Sequence, residues 1–149
     1  MPDVKVFIDT NVLLYTRQNQ ITEKVTRAEE WLVLLVESGC ACINLQVLNE
    51  MTNVLLRKRN DLTALEIFDA VDELLALGAP PITKETIFRA RELRLRFSYS
   101  WWDCLLLASA LELGCKFFLS EDMHDGHDID GLTIINPFMR TPSEILARY

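Results

Sequence analysis

The 149-residue chain has no apolar run long enough to span a membrane, and its N-terminus lacks the basic-then-apolar order of a signal peptide. Nothing in it directs export or insertion, so no membrane role and a cytoplasmic location are expected. Positive charge is also in short supply: 15 Lys and Arg stand against 22 Asp and Glu, a formal net charge of -7. That balance excludes a duplex-coating protein, whose affinity comes from many phosphate contacts. Nucleic acid stays open as a substrate, because a bound divalent cation neutralises an acidic pocket and then attracts phosphate. A basic protein partner suits the same charge. The four cysteines lack a metal-binding spacing. Cys40 and Cys42 flank one residue and would point to the same face of a strand, which fits neither a zinc knuckle nor an intramolecular disulfide. Cys104 and Cys115 lie in apolar segments, where a thiol packs as a small hydrophobe. Linkers, low-complexity tracts and internal repeats are absent too. With half of its residues hydrophobic, the chain reads as a single domain over 1–149 with a substantial core.

What is present is organised around Val4-Lys5-Val6-Phe7-Ile8-Asp9-Thr10-Asn11. Branched and aromatic residues stop abruptly on an acid, the pattern of a buried strand ending in a carboxylate. Ligands of open α/β sheets sit beyond the carboxyl ends of the strands, which is where Asp9 stands. Asp9 and Asn11 would equally serve to turn the chain and cap the next helix. The choice depends on whether other acids reach the same sheet edge.

Further along, Val12 to Thr16 continue apolar to a polar turn at Gln18 to Gln20, and Thr22 caps a helix that runs to Glu37 and closes on Ser38-Gly39. Cys40 to Leu45 is a second strand, and Gln46 to Arg59 a helix on which Glu50 shares a side with Val47, Met51 and Val54. Thr63 to Glu66 form a capping box for a helix to Leu77. Pro81 to Thr83 read as a short strand, and Lys84 to Phe97 as a helix whose arginines spread around it, with Arg94 between Ile87 and Ala90 on the wheel. Ser100-Trp101-Trp102-Asp103 caps a helix over Cys104 to Leu113 that is apolar nearly all round and so buried. An acid at the mouth of such a helix is a sufficient dipole partner, but it is costly there unless a cation or donors meet it. Lys116 to Ser120 is a third strand that also ends on acids, Glu121-Asp122. A His-Asp loop, a last strand over Leu132 to Ile135 and a short helix after Thr141-Pro142-Ser143-Glu144 complete an α/β fold with a central, mainly parallel sheet.

Asp9 and Asp122 thus end strands, Asp103 opens a buried helix and Glu50 lies in a helix that follows a strand, so all four acids can converge on one sheet edge. Clustered carboxylates without a covalent nucleophile suit Mg2+ or Mn2+, which activate water and stabilise a departing oxygen in phosphodiester chemistry. Without metal they repel one another, and some of their pKa values rise.

Phe7-Ile8-Asp9-Thr10-Asn11, Glu50, Trp102-Asp103 and Leu119-Ser120-Glu121-Asp122-Met123, in that order, resemble the PIN domain across almost the whole chain. The segment near Ser120, followed by Asp125-Gly126, resembles bacterial VapC-type toxins of toxin-antitoxin pairs. The resemblance implies a three-layer α/β/α fold and a metal-dependent endoribonuclease. In it Asp9, Glu50, Asp103 and Asp122 are catalytic and hold one or two Mg2+ or Mn2+ ions, supported by Thr10, Asn11 and Ser120. It also implies an RNA substrate, a homodimer and a small basic antitoxin.

Rival readings fare worse. An EF-hand register from Asp122 puts Thr133 where a bidentate Glu belongs, which argues against calcium. His and Asp in a polar loop are ordinarily a solvated connection rather than a second metal site. An aspartyl phosphatase using Asp9 would carry a second Asp where this chain has Asn11. A stand-alone PIN RNA-processing nuclease is the alternative to the toxin reading, and a non-catalytic PIN-like binding module has the four acids against it.

Overall fold

A computed structural model describes residues 3–149; Met1 and Pro2 of the expected 1–149 domain lie outside the described residues. Five short strands, β1 (Val6–Ile8), β2 (Ala41–Cys42), β3 (Phe117–Leu119), β4 (Asp128–Ile129) and β5 (Leu132–Ile135), form one sheet in the order β2-β1-β3-β5-β4. The first four positions are mutually parallel, with Val6 opposite both Ala41 and Phe117, and Phe117 opposite Thr133. Only β4 is antiparallel, pairing with β5 through Asp128–Thr133 and Ile129–Leu132. Strands β1 and β3 are buried throughout, as their unbroken apolar runs require, and Phe7 stacks on Phe118 with ring centroids 5.3 Å apart.

Among the described residues, seven α-helices flank the sheet in a three-layer α/β/α arrangement: α1 (Thr10–Tyr15), α2 (Glu23–Glu37), α3 (Leu45–Lys58), α4 (Ala64–Asp72), α5 (Lys84–Arg96), α6 (Trp101–Glu112) and α7 (Pro142–Leu146). The starts of α2, α4 and α5 follow from Thr22, Thr63 and Thr83, whose hydroxyls each accept an N–H of the first turn. Helix α6 is buried at every position from Cys104 to Ala110, so it runs through the core. Trp31 of α2, fully buried, donates its indole N–H to the carbonyls of Pro137 and Arg140, both at 3.1 Å, and thereby pins the C-terminal segment to the helix layer. Burial of a side chain of that size contributes about 1.5–3 kcal/mol relative to exposure.

Several elements depart from the sequence expectation. The apolar residues after Asn11 form a helix, because Asp9 caps it. The second strand contracts from Cys40–Leu45 to Ala41–Cys42, because the Asn44 side chain accepts from Val47 N–H at 3.0 Å and starts α3 one residue earlier than Gln46. No strand forms over Pro81–Thr83: Pro80 accepts one bond from Leu45 N–H, and two adjacent prolines remove donors that a ladder would need. The helix expected to reach Leu77 tightens into a 3-10 turn over Glu73–Leu77.

In strand order the chain switches sides between β1 and β3, the place where open parallel sheets leave a crevice beyond their carboxyl ends. Asp9 follows β1 and Ser120 to Asp122 follow β3, so the two lips of that crevice carry acids.

Asn44 links this frame to α6. Fully buried, it caps α3 with its amide oxygen while its amide nitrogen donates to Ser109 Oγ at 2.8 Å. Replacing it with Ala leaves both groups unpaired, so Asn44→Ala is expected to lower unfolding free energy by roughly 1–3 kcal/mol in urea denaturation without changing the far-UV spectrum.

Candidate active site at the sheet edge

The backbone brings Asp9 to the site. Its N–H still belongs to the sheet, donating to Leu119 C=O at 3.0 Å, while its side chain already caps α1 by accepting from Thr10 N–H at 2.7 Å. The second carboxylate oxygen accepts from Ser120 Oγ at 2.8 Å and from Asn11 Nδ2 at 3.2 Å. Asp9 is 4 % exposed and Ser120 fully buried beneath it.

Around Asp9 the remaining candidates close a cavity of about 280 Å³, lined by Asp9, Thr10, Asn11, Glu50, Asp103 and Asp122 among others. Thr10 donates its hydroxyl to Glu50 at 2.7 Å, joining α1 to α3. Asn11 donates to Asp122 at 3.0 Å and accepts from Glu121 N–H at 3.3 Å, stitching the start of α1 to the loop after β3. Asp103 is the third residue of α6, its N–H donating to the capping Ser100 hydroxyl at 3.1 Å. Glu121 is paired with Lys24, so Asp122 is the acid of that pair that lines the cavity. Every site residue expected from sequence therefore either lines this cavity or, like Ser120, supports its floor.

Two residues that the sequence reading passed over belong to the same place. Gln46, one turn before Glu50, donates Nε2 to Glu50 at 2.7 Å and to the Trp102 carbonyl at 3.2 Å, so it spans from α3 to the residue before Asp103. Its i,i+4 spacing from Glu50 was the available signal. Asn53, one turn beyond Glu50, lines the cavity between Glu50 and Val54. Arg94 is exposed and does not line it.

The His-Asp loop is occupied elsewhere. Asp125 accepts from Asn136 N–H at 2.8 Å and pairs with Arg140, Asp128 accepts from Gly131 N–H at 3.0 Å, and Asp130 forms a two-pronged pair with Arg96 at 2.9 and 3.0 Å. His127 shares a hydrogen bond with the Tyr99 hydroxyl at 2.7 Å and stands edge-on to Phe97. These contacts hold the loop and β4 to α5, as a connecting segment requires.

No lysine or arginine lines the acid cavity. Burial pushes the Asp9 carboxyl up to about 7, and Asp103 and Glu50 add repulsion, against the hydrogen bonds from Ser120 and Thr10. Asp103 is raised as well, by burial first and then by Asp122 and Glu50, despite its bond with Ser100. Among the described residues, no three carboxylates, imidazoles or thiols stand ready to hold one ion in this conformation; their oxygens are turned onto neighbouring O–H and N–H donors. The donor set nonetheless fits a hard divalent cation, since it is all oxygen and carries excess negative charge.

A family model of the PIN domain matches residues 6–124, from the first residue of β1 to just past the Asp122 loop. The chain belongs to the PIN domain family. No curated protein matches its sequence, but solved structures share the fold. A chain of a toxin-antitoxin complex from Klebsiella pneumoniae superposes with a TM-score of 0.66 at 17% identity, covering 89% of this chain and 98% of that one. A chain of VapBC2 from Rickettsia felis, bound to a DNA fragment from its promoter, gives 0.65 at 16% identity over 88% and 97%. VapC20 from Mycobacterium tuberculosis, a toxin that cleaves the sarcin-ricin loop, gives 0.59 at 16% identity over 76% and 87%. The matched span of residues 6–124 includes Asp9, Glu50, Asp103 and Asp122.

For this PIN domain, the raised Asp9 pKa makes stability depend on pH with a definite sign. Because the folded value, about 7, exceeds the ordinary carboxylate value, the contribution of Asp9 is fully present below about pH 4 and is lost as pH rises through 7. Asp9→Asn removes the ionisation and keeps a competent cap. In EDTA the variant is expected to match the parent near pH 4 and to exceed it at pH 8 by up to about 4 kcal/mol. Thermal melts across that range measure the gap; a gap that does not widen with pH contradicts the assignment.

Proposed function

We propose that this chain is a Mg2+- or Mn2+-dependent endoribonuclease that hydrolyses RNA phosphodiester bonds, acting as the toxin of a type II toxin-antitoxin pair. The observation that carries the reading is the convergence of Asp9, Glu50, Asp103 and Asp122 on one cavity with no basic residue in its lining. In this reading the domain spans 1–149, works in the cytoplasm as a homodimer, and uses those four acids to hold one or two ions.

Asp9, Glu50, Asp103 and Asp122 would hold the ion, which would supply activation of water and charge stabilisation of the phosphate and the leaving oxygen. The chain's own residues prepare the site. Asp9 is fixed by three donors, so its position at the sheet edge is set before any ligand arrives. Thr10 and Gln46 hold the two oxygens of Glu50, and Asn11 holds Asp122, which keeps the carboxylates oriented despite their repulsion. Ser120 supports Asp9 from below, and its Oγ also accepts from Asp122 N–H at 3.3 Å.

The partner reading rests on the same cavity. A carboxylate cluster short of cations binds a guanidinium well, because Arg makes bidentate contacts with carboxylate. A small basic antitoxin then inhibits by occupying the ion site, and the toxin-antitoxin complexes among the structural neighbours support such a partner.

RNA cleavage is expected to require Mg2+ or Mn2+, to stop in EDTA and to return when metal is restored; undiminished cutting by metal-free protein would refute the mechanism. Asp9→Asn and Asp103→Asn should each lower kcat by at least about 100-fold, as loss of a ligand to the catalytic ion does, whereas Asp128→Asn and Asp130→Asn should stay within about three-fold. Equal losses from the loop variants, with unchanged melting temperatures, would move the site to the His-Asp loop. Titrating the product of an adjacent basic reading frame against both RNA cleavage and Mn2+ affinity tests the partner: inhibition with metal affinity untouched, or the lack of such a frame, favours a stand-alone PIN nuclease.

A further inference from the structure

The acid cavity is not the larger of the two hollows at this edge. Beside it lies a space of about 800 Å³, floored by Leu45, Ile82 and Leu105 and walled by Pro81 and Trp102. The two hollows share Glu50, Asn53 and Asp103, so they adjoin at the acids. Trp102 is 63 % exposed and Leu45 39 %, an uncovered aromatic and aliphatic pair immediately next to the charged groups. Asn49 and Asn53 supply exposed amides along the rim. Gln46 anchors the Trp102 backbone to Glu50, which fixes the point from which the indole springs relative to the acids.

A polyanion reaching this site faces a difficulty, since neither hollow is lined by Lys or Arg. No side chain of either hollow can neutralise phosphate, so beyond what an ion at the acids supplies, the chain's own hold on the substrate comes from groups indifferent to charge. A nucleobase meets that condition: its flat face stacks on indole or on aliphatic carbon, and its edge takes hydrogen bonds from amides. A base lodged beside Glu50 and Asp103 places its own phosphate at the acids. We propose, on the basis of the ribonuclease reading above, that the Trp102 hollow is a nucleobase subsite that takes one unstacked base of single-stranded RNA next to the scissile phosphate. Paired RNA keeps its bases stacked inside the helix and cannot fill it. The subsite thus selects loops and single strands.

The test uses the full chain, Trp102→Ala and Trp102→Phe on single-stranded RNA oligonucleotides that each carry one abasic site, stepped through the positions flanking the cut. Trp102→Ala is expected to raise KM roughly ten-fold with kcat within about two-fold, and Trp102→Phe to keep most of the affinity, since stacking survives on a smaller ring. In the parent, one abasic position reproduces the loss. Combined with Trp102→Ala, that position costs nothing more. Additive losses, or no sensitive position, overturn the subsite while leaving the nuclease intact. A loss that follows a fall in sedimentation coefficient shows that a second copy of the chain covers the hollow, and also overturns it. A parent that cuts no RNA removes the ribonuclease reading itself, and the subsite with it. Circular dichroism of both variants shows whether they are folded, and the Phe variant keeps the comparison available should the Ala variant fail to fold.

Discussion

Everything at the working edge of this molecule depends on keeping a carboxylate where water hardly reaches. Asp9 is placed by two backbones at once, since its N–H completes the sheet and its side chain opens a helix. It cannot withdraw without breaking one of them. The surrounding polar residues follow from that constraint: Ser120 beneath, Asn11 beside and Thr10 above supply donors that make ionisation tolerable but not free. A hydrophobic residue at position 9 would remove the electrostatic cost together with the reason for the cavity. The site is a deliberate store of negative charge, and charged ligands of opposite sign are its natural complement.

The second requirement is that elements distant in sequence hold their acids in fixed relation. Sheet pairing does this for β1 and β3, whose parallel register puts Ile8 opposite Leu119 and leaves Asp9 and Ser120 side by side. Helices α3 and α6 have no sheet to fix them. Their relation is set by two side-chain ties, Asn44 to Ser109 in the core and Gln46 to the Trp102 carbonyl at the rim. Both leave from the start of α3, one reaching Ser109 and the other the residue before Asp103, so a sliding of α3 along α6 would break a hydrogen bond.

Much of this was readable in the residues because local signals agreed with the global fold. Asp9 and the acids after Ser120 showed as abrupt ends of apolar runs, and the Thr22, Thr63 and Ser100 caps marked helix starts that the structure keeps. Where the reading failed, a tertiary contact outweighed local propensity. The β-compatible residues from Ile43 to Leu45 leave the sheet because Asn44 finds a better use as a cap, and Pro81–Thr83 has no strand beside it to pair with. Gln46 and Asn53 were missed for a different reason. An amide has no titration, and the i,i+4 spacing of Gln46 from Glu50 is one that any helix repeats, so its role becomes visible only once the groups it touches are in place.

The sheet's borders have a consequence for how the molecule meets others. Its outermost strands, β2 and β4, are two residues each, and β4 runs against its neighbour. Such stubs expose too few unpaired peptide groups to template another chain, which blunts the route by which sheets extend from molecule to molecule. Side chains on helices and loops are therefore the better-developed contact surface. Recognition of such a surface is a matter of shape and charge, tunable residue by residue, whereas strand addition, which reads backbone almost regardless of sequence, finds little purchase on it.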